Sequence, residues 1–185
     1  NNPENMTREQ IDNFYDMAFS VDPEWLEQNF NKYESLIDTK ASEKAYEDYK
    51  TQRDYLYSEE YYRTFSGYAE NKDLADSLWP SVRGHDVRYT DHRYDENGKL
   101  YAYATQVYKN GVKLSPDAAR SWYDKLHEWA NAHREHYRVF YNDIQPQQKI
   151  EREKAERAFD TASYKAFRAF DMALIKAWGQ RNVND

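Results

Sequence analysis

The chain has 185 residues with no Cys, carries 33 Asp+Glu against 26 Lys+Arg for a net charge of −7, and is 17 % aromatic. Acidity on this scale argues against general nucleic-acid or anionic-membrane binding, which needs a basic face. The missing Cys excludes disulfides, thiolate catalysis and zinc-finger chemistry, and leans toward an extracytoplasmic protein over a cytoplasmic one.

Tyr dominates the aromatics, with 18 residues against 8 Phe and 5 Trp. Leu, Ile, Val and Phe together stay below the roughly 20 % at which charged chains tend to disorder. The aromatics nevertheless recur at helical and strand spacing, which disordered chains lack. A core built from Tyr keeps hydroxyls that need partners, and Tyr left outside makes an adhesive, hydrogen-bonding surface. The length suits a single domain over 1–185. No apolar run reaches the roughly 18 residues of a transmembrane candidate.

The polar opening, residues 1–6, reads as a disordered tether. Residues 7–80 form an acidic helical part; residues 1–80 carry 8 Lys+Arg against 18 Asp+Glu. Thr7 and Gln10 make a capping box for a first helix whose face is Ile11, Phe14, Tyr15 and Ala18. Asp22-Pro23-Glu24 opens a second helix with the stripe Leu26, Phe30, Tyr33 and Ile37. A third helix starts near Thr39, turns Ala45, Tyr49, Gln52 and Leu56 inward, and is expected to run through Tyr61 and Phe65 to Gly67. Leu74, Leu78 and Trp79 mark a short fourth helix stopping before Pro80.

The period then changes. Residues 86–94 and 99–109 are rich in Tyr, Val and Thr and flank Asn97-Gly98, while Asn110-Gly111 precedes Val112–Leu114. Asn-Gly between strand-like runs signals a hairpin, because its turn residues need positive φ. A three-stranded antiparallel meander is expected over about 86–114. A two-residue loop at Asn97-Gly98 pairs Tyr94 with Tyr101, His92 with Tyr103, Thr90 with Thr105 and Arg88 with Val107. Leu114 joins Val107 on that face, which should pack on helices. The other face pairs Arg93 with Ala102, Asp91 with Ala104, Tyr89 with Gln106 and Val87 with Tyr108. Its exposed Tyr89, Arg93, Gln106 and Tyr108 have the chemistry of an adaptable binding surface.

Ser115-Pro116-Asp117 starts a long helix to about Tyr141, with Ala119, Trp122, Leu126, Trp129, His133, Tyr137 and Phe140 on one face. After Pro146 a last helix runs to about Trp178 with the stripe Ala155, Phe159, Ala162, Ala166, Phe170, Ala173 and Ala177. Small Ala beside large Phe suits close helix packing, so 116–178 reads as a long antiparallel helical hairpin. The fold class is α+β and mainly α, a helical domain with one inserted meander.

No phosphate loop, nucleophile elbow or dinucleotide fingerprint is present. His127, Glu128, His133, Glu135 and His136 crowd together, but helix geometry turns both Glu away from His133, which reads as a packed His rather than a ligand. The composition favours a non-catalytic binding or adaptor domain for a protein or peptide partner, with neither cofactor nor metal. Two alternatives stand beside it. One is a small metal-dependent hydrolase using His133 and His136, or His85 and Asp86. The other is an acidic nucleic-acid mimic acting on a nucleic-acid-binding protein.

Overall fold

The computed structural model describes residues 5–94, 96–98 and 100–184, the side chains of 89–94, 100–105 and 182–184 falling outside that description. The elements run α1 (Arg8–Val21), α2 (Pro23–Tyr33), a 3₁₀ turn (Glu34–Leu36), α3 (Thr39–Leu56), α4 (Glu59–Tyr62), α5 (Tyr68–Val82), β1 (His85–Tyr94), β2 (Leu100–Lys109), β3 (Val112–Lys113), α6 (Pro116–Val139), a π-helical turn (Phe140–Ile144) and α7 (Gln145–Asn184). The fold is mainly helical, with a small antiparallel sheet in the order β1-β2-β3. No helix among the described residues is long and apolar enough to cross a membrane. Contacts divide the chain into two compact units, residues 1–56 with 149–185, and residues 57–148.

In the first unit, local sequence signals set the helix starts. The Thr7 hydroxyl accepts from the Gln10 amide while the Gln10 side chain accepts from the Thr7 amide, closing the expected capping box. Asp22 caps α2 through the Trp25 amide, with Pro23 at the first helical position. Asp38 does the same for α3 through the Ala41 amide at 3.1 Å. The core is Phe14 and Ala18 of α1 with Phe170, Leu174 and Trp178 of α7, flanked by Trp25, Leu26, Tyr33 and Ile37. Trp178 meets Phe14 and Trp25 edge-on, at ring separations of 6.1 and 5.0 Å. Arg181 lies over the Trp178 ring and pairs with Asp22 at 3.0 Å, tying the α2 cap to α7.

The second unit is built on α5 and α6 with the meander beside them. Trp122 of α6 donates its indole N–H to the Val82 carbonyl at 3.0 Å, satisfying a carbonyl at the end of α5. The His85 ring stacks on Trp122 at 5.1 Å. Val107, 1 % exposed, is the sheet's buried anchor, and the Leu114 amide donates to its carbonyl, as the meander predicts. Gly67 precedes α5 with φ +88, and a Cβ there would lie 3.2 Å from Val139 of α6. The position therefore needs glycine both for its backbone and for its neighbour.

Several expectations are corrected. The third helix stops at Leu56 because the Ser58 hydroxyl accepts from the Tyr61 amide and starts α4 afresh. The fourth helix begins at Tyr68 and continues through Pro80 to Val82. Its end comes two residues later, so the missing N–H removes a bond from a turn that is already terminating. Its buried line is Tyr68, Ala75 and Val82, with Leu74 and Trp79 exposed.

The expected turn at Pro146 does not form, so 116–178 is not an antiparallel hairpin. Val139, Phe140 and Gln145 have right-handed helical dihedrals, and the Gln145 amide reaches back to the Phe140 carbonyl across a widened π turn. That wider turn stands where the Pro146 ring would otherwise strike the carbonyl of the preceding turn. The first part of the α7 stripe, through Ala162, faces α3 instead, while Phe170 packs against α1 and α2. Tyr49 meets Phe159 at 5.4 Å, and Ala45, Ala155, Ala158 and Ala162 share a cleft of about 200 Å³.

The hairpin register agrees with expectation only in its middle. Next to the turn Tyr94 pairs with Leu100 rather than Tyr101, so the loop is longer than the two residues Asn97-Gly98, and the register slips again farther out. His92 pairs with Tyr103 and Arg93 with Ala102, but a bulge between Tyr89 and Asp91 then pairs Tyr89 with Thr105, Arg88 with Gln106 and Val87 with Val107. One unpaired residue displaces every later partner by one.

Candidate functional site

The bulge decides which residues share the outer end of the sheet. Arg88, rather than Val87, stands with Gln106 and Tyr108, and its guanidinium lies over the Tyr108 ring at 4.1 Å. The Tyr108 hydroxyl donates to Gln106 Oε1 at 2.8 Å. Gln106 and Tyr108 are both half-buried. The side chains of Tyr89 and Arg93 lie outside the described residues.

The His candidates occupy aromatic surroundings. His85 Nδ1 lies 3.1 Å from the Val82 carbonyl and 2.9 Å from that of Arg83, while Asp86 is exposed beside Arg88. His133 stacks on Trp129 at 4.7 Å and meets Tyr137 edge-on at 4.7 Å. His136 packs on Tyr68 at 4.6 Å. Its pKa is pushed below the usual imidazole value, first by burial and then by the charges of Lys72 and His133. No group of three His, Asp or Glu positioned to hold a metal ion occurs among the described residues.

What the sequence placed in a packed stripe is in part a surface in the second unit. Trp79 of α5 lies 5.0 Å from Trp129, which continues through His133 and Tyr137 to Tyr141, itself stacked on Tyr137 at 6.0 Å. These four α6-side rings recur every four residues, the spacing that keeps side chains on neighbouring turns in contact. Trp79, Tyr137 and Tyr141 are 45 %, 43 % and 54 % exposed. The burial of α6 is carried by Trp122, Ala132 and Val139. The ring row thus flanks the packed stripe; the helical period assigned Trp129, His133 and Tyr137 to the packed face with Trp122 and left out Ala132 and Val139.

In the first unit α1, α2 and α7 border an open cleft of about 350 Å³, lined by apolar Ile11, Phe30, Phe167 and Phe170 and by polar groups that include Asp12 and Asp171. Asp171 is 6 % exposed, an uncommon site for a carboxylate. The Tyr15 hydroxyl donates to its Oδ1. Burial leads in pushing the Asp171 carboxyl upward, opposed by the Tyr15 hydrogen bond and the charge of Arg168. The Tyr15 phenol is pushed far above its usual range by the same burial and by Asp171. Arg168 is turned toward the Met6 carbonyl, at 3.1 Å, and the Tyr164 hydroxyl. Sequence reasoning placed Tyr15 on the packed face but gave no role to Asp171. The available signal was an acid next to Phe170 within an otherwise Ala and Phe stripe.

Comparison with protein-family models, curated proteins and solved structures finds no match to this chain.

Proposed function

We propose that the chain is a non-catalytic binding or adaptor domain that engages a protein or peptide through its exposed aromatic surface. The observation that carries this reading is the row Trp79, Trp129, His133, Tyr137 and Tyr141, five neighbouring rings in which three are at least 43 % exposed. Solvent-facing rings arranged side by side offer broad contact area with few torsions to freeze, and Tyr adds a hydroxyl for a polar partner group. Aromatic side chains of this kind supply the energetic centres of protein interfaces. The half-exposed Arg88, Gln106 and Tyr108 group gives the sheet similar chemistry on a smaller scale. By strand position Arg93, opposite Ala102, shares the register face of Gln106 and Tyr108 and belongs to the same proposal, whereas the bulge moves Tyr89, opposite Thr105, to the register face of Val107.

The test is a purified partner obtained by affinity capture and then titrated by calorimetry against the wild type and the double variant Tyr137→Ser, Tyr141→Ser. Both residues are largely exposed, so stability should change by less than about 1 kcal/mol. Affinity should fall by at least about tenfold if the row is an interface core. Unchanged affinity in a folded double variant overturns the assignment of the row.

A further inference from the structure

We infer that the cleft between α1, α2 and α7 is a binding site for a small organic ammonium, an amine carried on an aryl or alkyl body. The inference does not depend on the aromatic row, which belongs to the other compact unit. Its floor is Ile11, Phe170 and Asp171, exposed by 3 %, 2 % and 6 %, and its walls include Tyr15, Phe30 and Phe167. A cleft of about 350 Å³ lies within the size range of sites that enclose whole small ligands.

Charge selects the ligand class. Among the described residues Asp171 accepts one hydrogen bond, from Tyr15, whereas a carboxylate has about four acceptor positions. Its neighbour Arg168 hydrogen-bonds the Met6 carbonyl and Tyr164 rather than Asp171, on which it acts through its charge alone. Arg8, the one cation among the described lining residues, is half-exposed and lies 3.6 Å from Asp160, so its charge is answered outside the floor. Asp12, exposed in the lining, adds a second negative charge. A carboxylate at the base of an aromatic-walled cleft attracts a cation twice, through direct pairing and through the negative faces of the rings. The apolar walls favour a ligand whose ammonium is attached to a hydrocarbon body. An anionic ligand would meet Asp171 and Asp12 together, and a neutral one would leave the buried carboxylate as it is.

The experiment titrates the full chain with 2-phenylethylamine and, separately, with 2-phenylethanol, following backbone amide shifts by NMR. Expected are saturable shifts at Tyr15, Phe167 and Asp171 with the amine, and binding at least about tenfold weaker for the alcohol. Asp171→Asn keeps an acceptor for the Tyr15 hydroxyl and removes the charge, so it should erase the preference for the amine. Equal affinities for amine and alcohol, no saturable shift, shifts confined elsewhere, or a preference that survives in Asp171→Asn overturns the inference. Should that variant fail to fold, the wild-type comparison of amine with alcohol decides alone.

Discussion

Tyr15→Phe isolates one hydroxyl at the junction of α1 and α7. The ring stays, and with it the edge-on contact to Phe14 at 5.3 Å. What is lost is the hydrogen bond to Asp171, whose carboxyl is 6 % exposed and has no other hydrogen bond among the described residues. A hydrogen bond to a charged group contributes about 1.5–3 kcal/mol, and an abandoned buried acceptor costs about as much, so a loss of about 2 kcal/mol is expected at pH 7. For a chain of this length that corresponds to a fall in Tm of about 4–8 °C. The pH dependence makes the reasoning sharper. The Tyr15 hydrogen bond holds the Asp171 carboxyl down against burial, so removing it raises that pKa further. A group whose folded pKa is raised gives stability that is present below its unfolded pKa and lost as pH rises through the folded pKa. Tyr15→Phe should therefore cost less at pH 4, about 1 kcal/mol or below, than at pH 7. Urea unfolding of wild type and variant at both pH values, repeated in an Asp171→Asn background, measures the difference. A penalty under about 0.5 kcal/mol at pH 7, or one that is the same at pH 4 and in Asp171→Asn, would refute the coupling.

Gly67→Ala should destabilise by about 2 kcal/mol, since it combines a left-handed backbone with a Cβ pressed on Val139, which is 1 % exposed. Gly84→Ala, with φ +75 and nothing within 4 Å of its Cβ, carries the backbone cost alone, about 1 kcal/mol. Equal losses in the two variants by denaturant unfolding would show that the Val139 contact is irrelevant. His136 has its folded pKa lowered by burial, so its contribution is fully present above the unfolded value near about 6.5 and is lost as pH falls toward the folded pKa. Thermal unfolding between pH 7 and pH 5 should show this loss in the wild type and a smaller one in His136→Phe; equal slopes would remove His136 as its source.

By itself the sequence determined the features governed by a few adjacent residues. Capping at Thr7, Asp22 and Ser115, the Asn110-Gly111 turn with positive φ at both residues, and the switch from helical to alternating period are all decided within one or two turns of chain, where side chains compete directly for backbone hydrogen bonds. The face of α1 was equally legible, because Ile11, Phe14 and Ala18 satisfy one helical period and all three are buried. Only tertiary structure decided the rest. Pro146 is a strong breaker in isolation, yet a widened turn at Phe140–Ile144 carries the helix past it, with Ile144 fully buried. The sheet register could not be read beyond the bulge at Thr90, because an unpaired residue leaves no mark on the alternation of residue types. Trp129, His133 and Tyr137 fit a core stripe by period, but Ala132 and Val139 fill the space facing the packed neighbours, so the larger rings are left toward solvent. Asp171 shows the same limit from the opposite side. Its burial depends on α1 bringing Tyr15 across 156 positions of chain to hold it, and no local pattern encodes that partner.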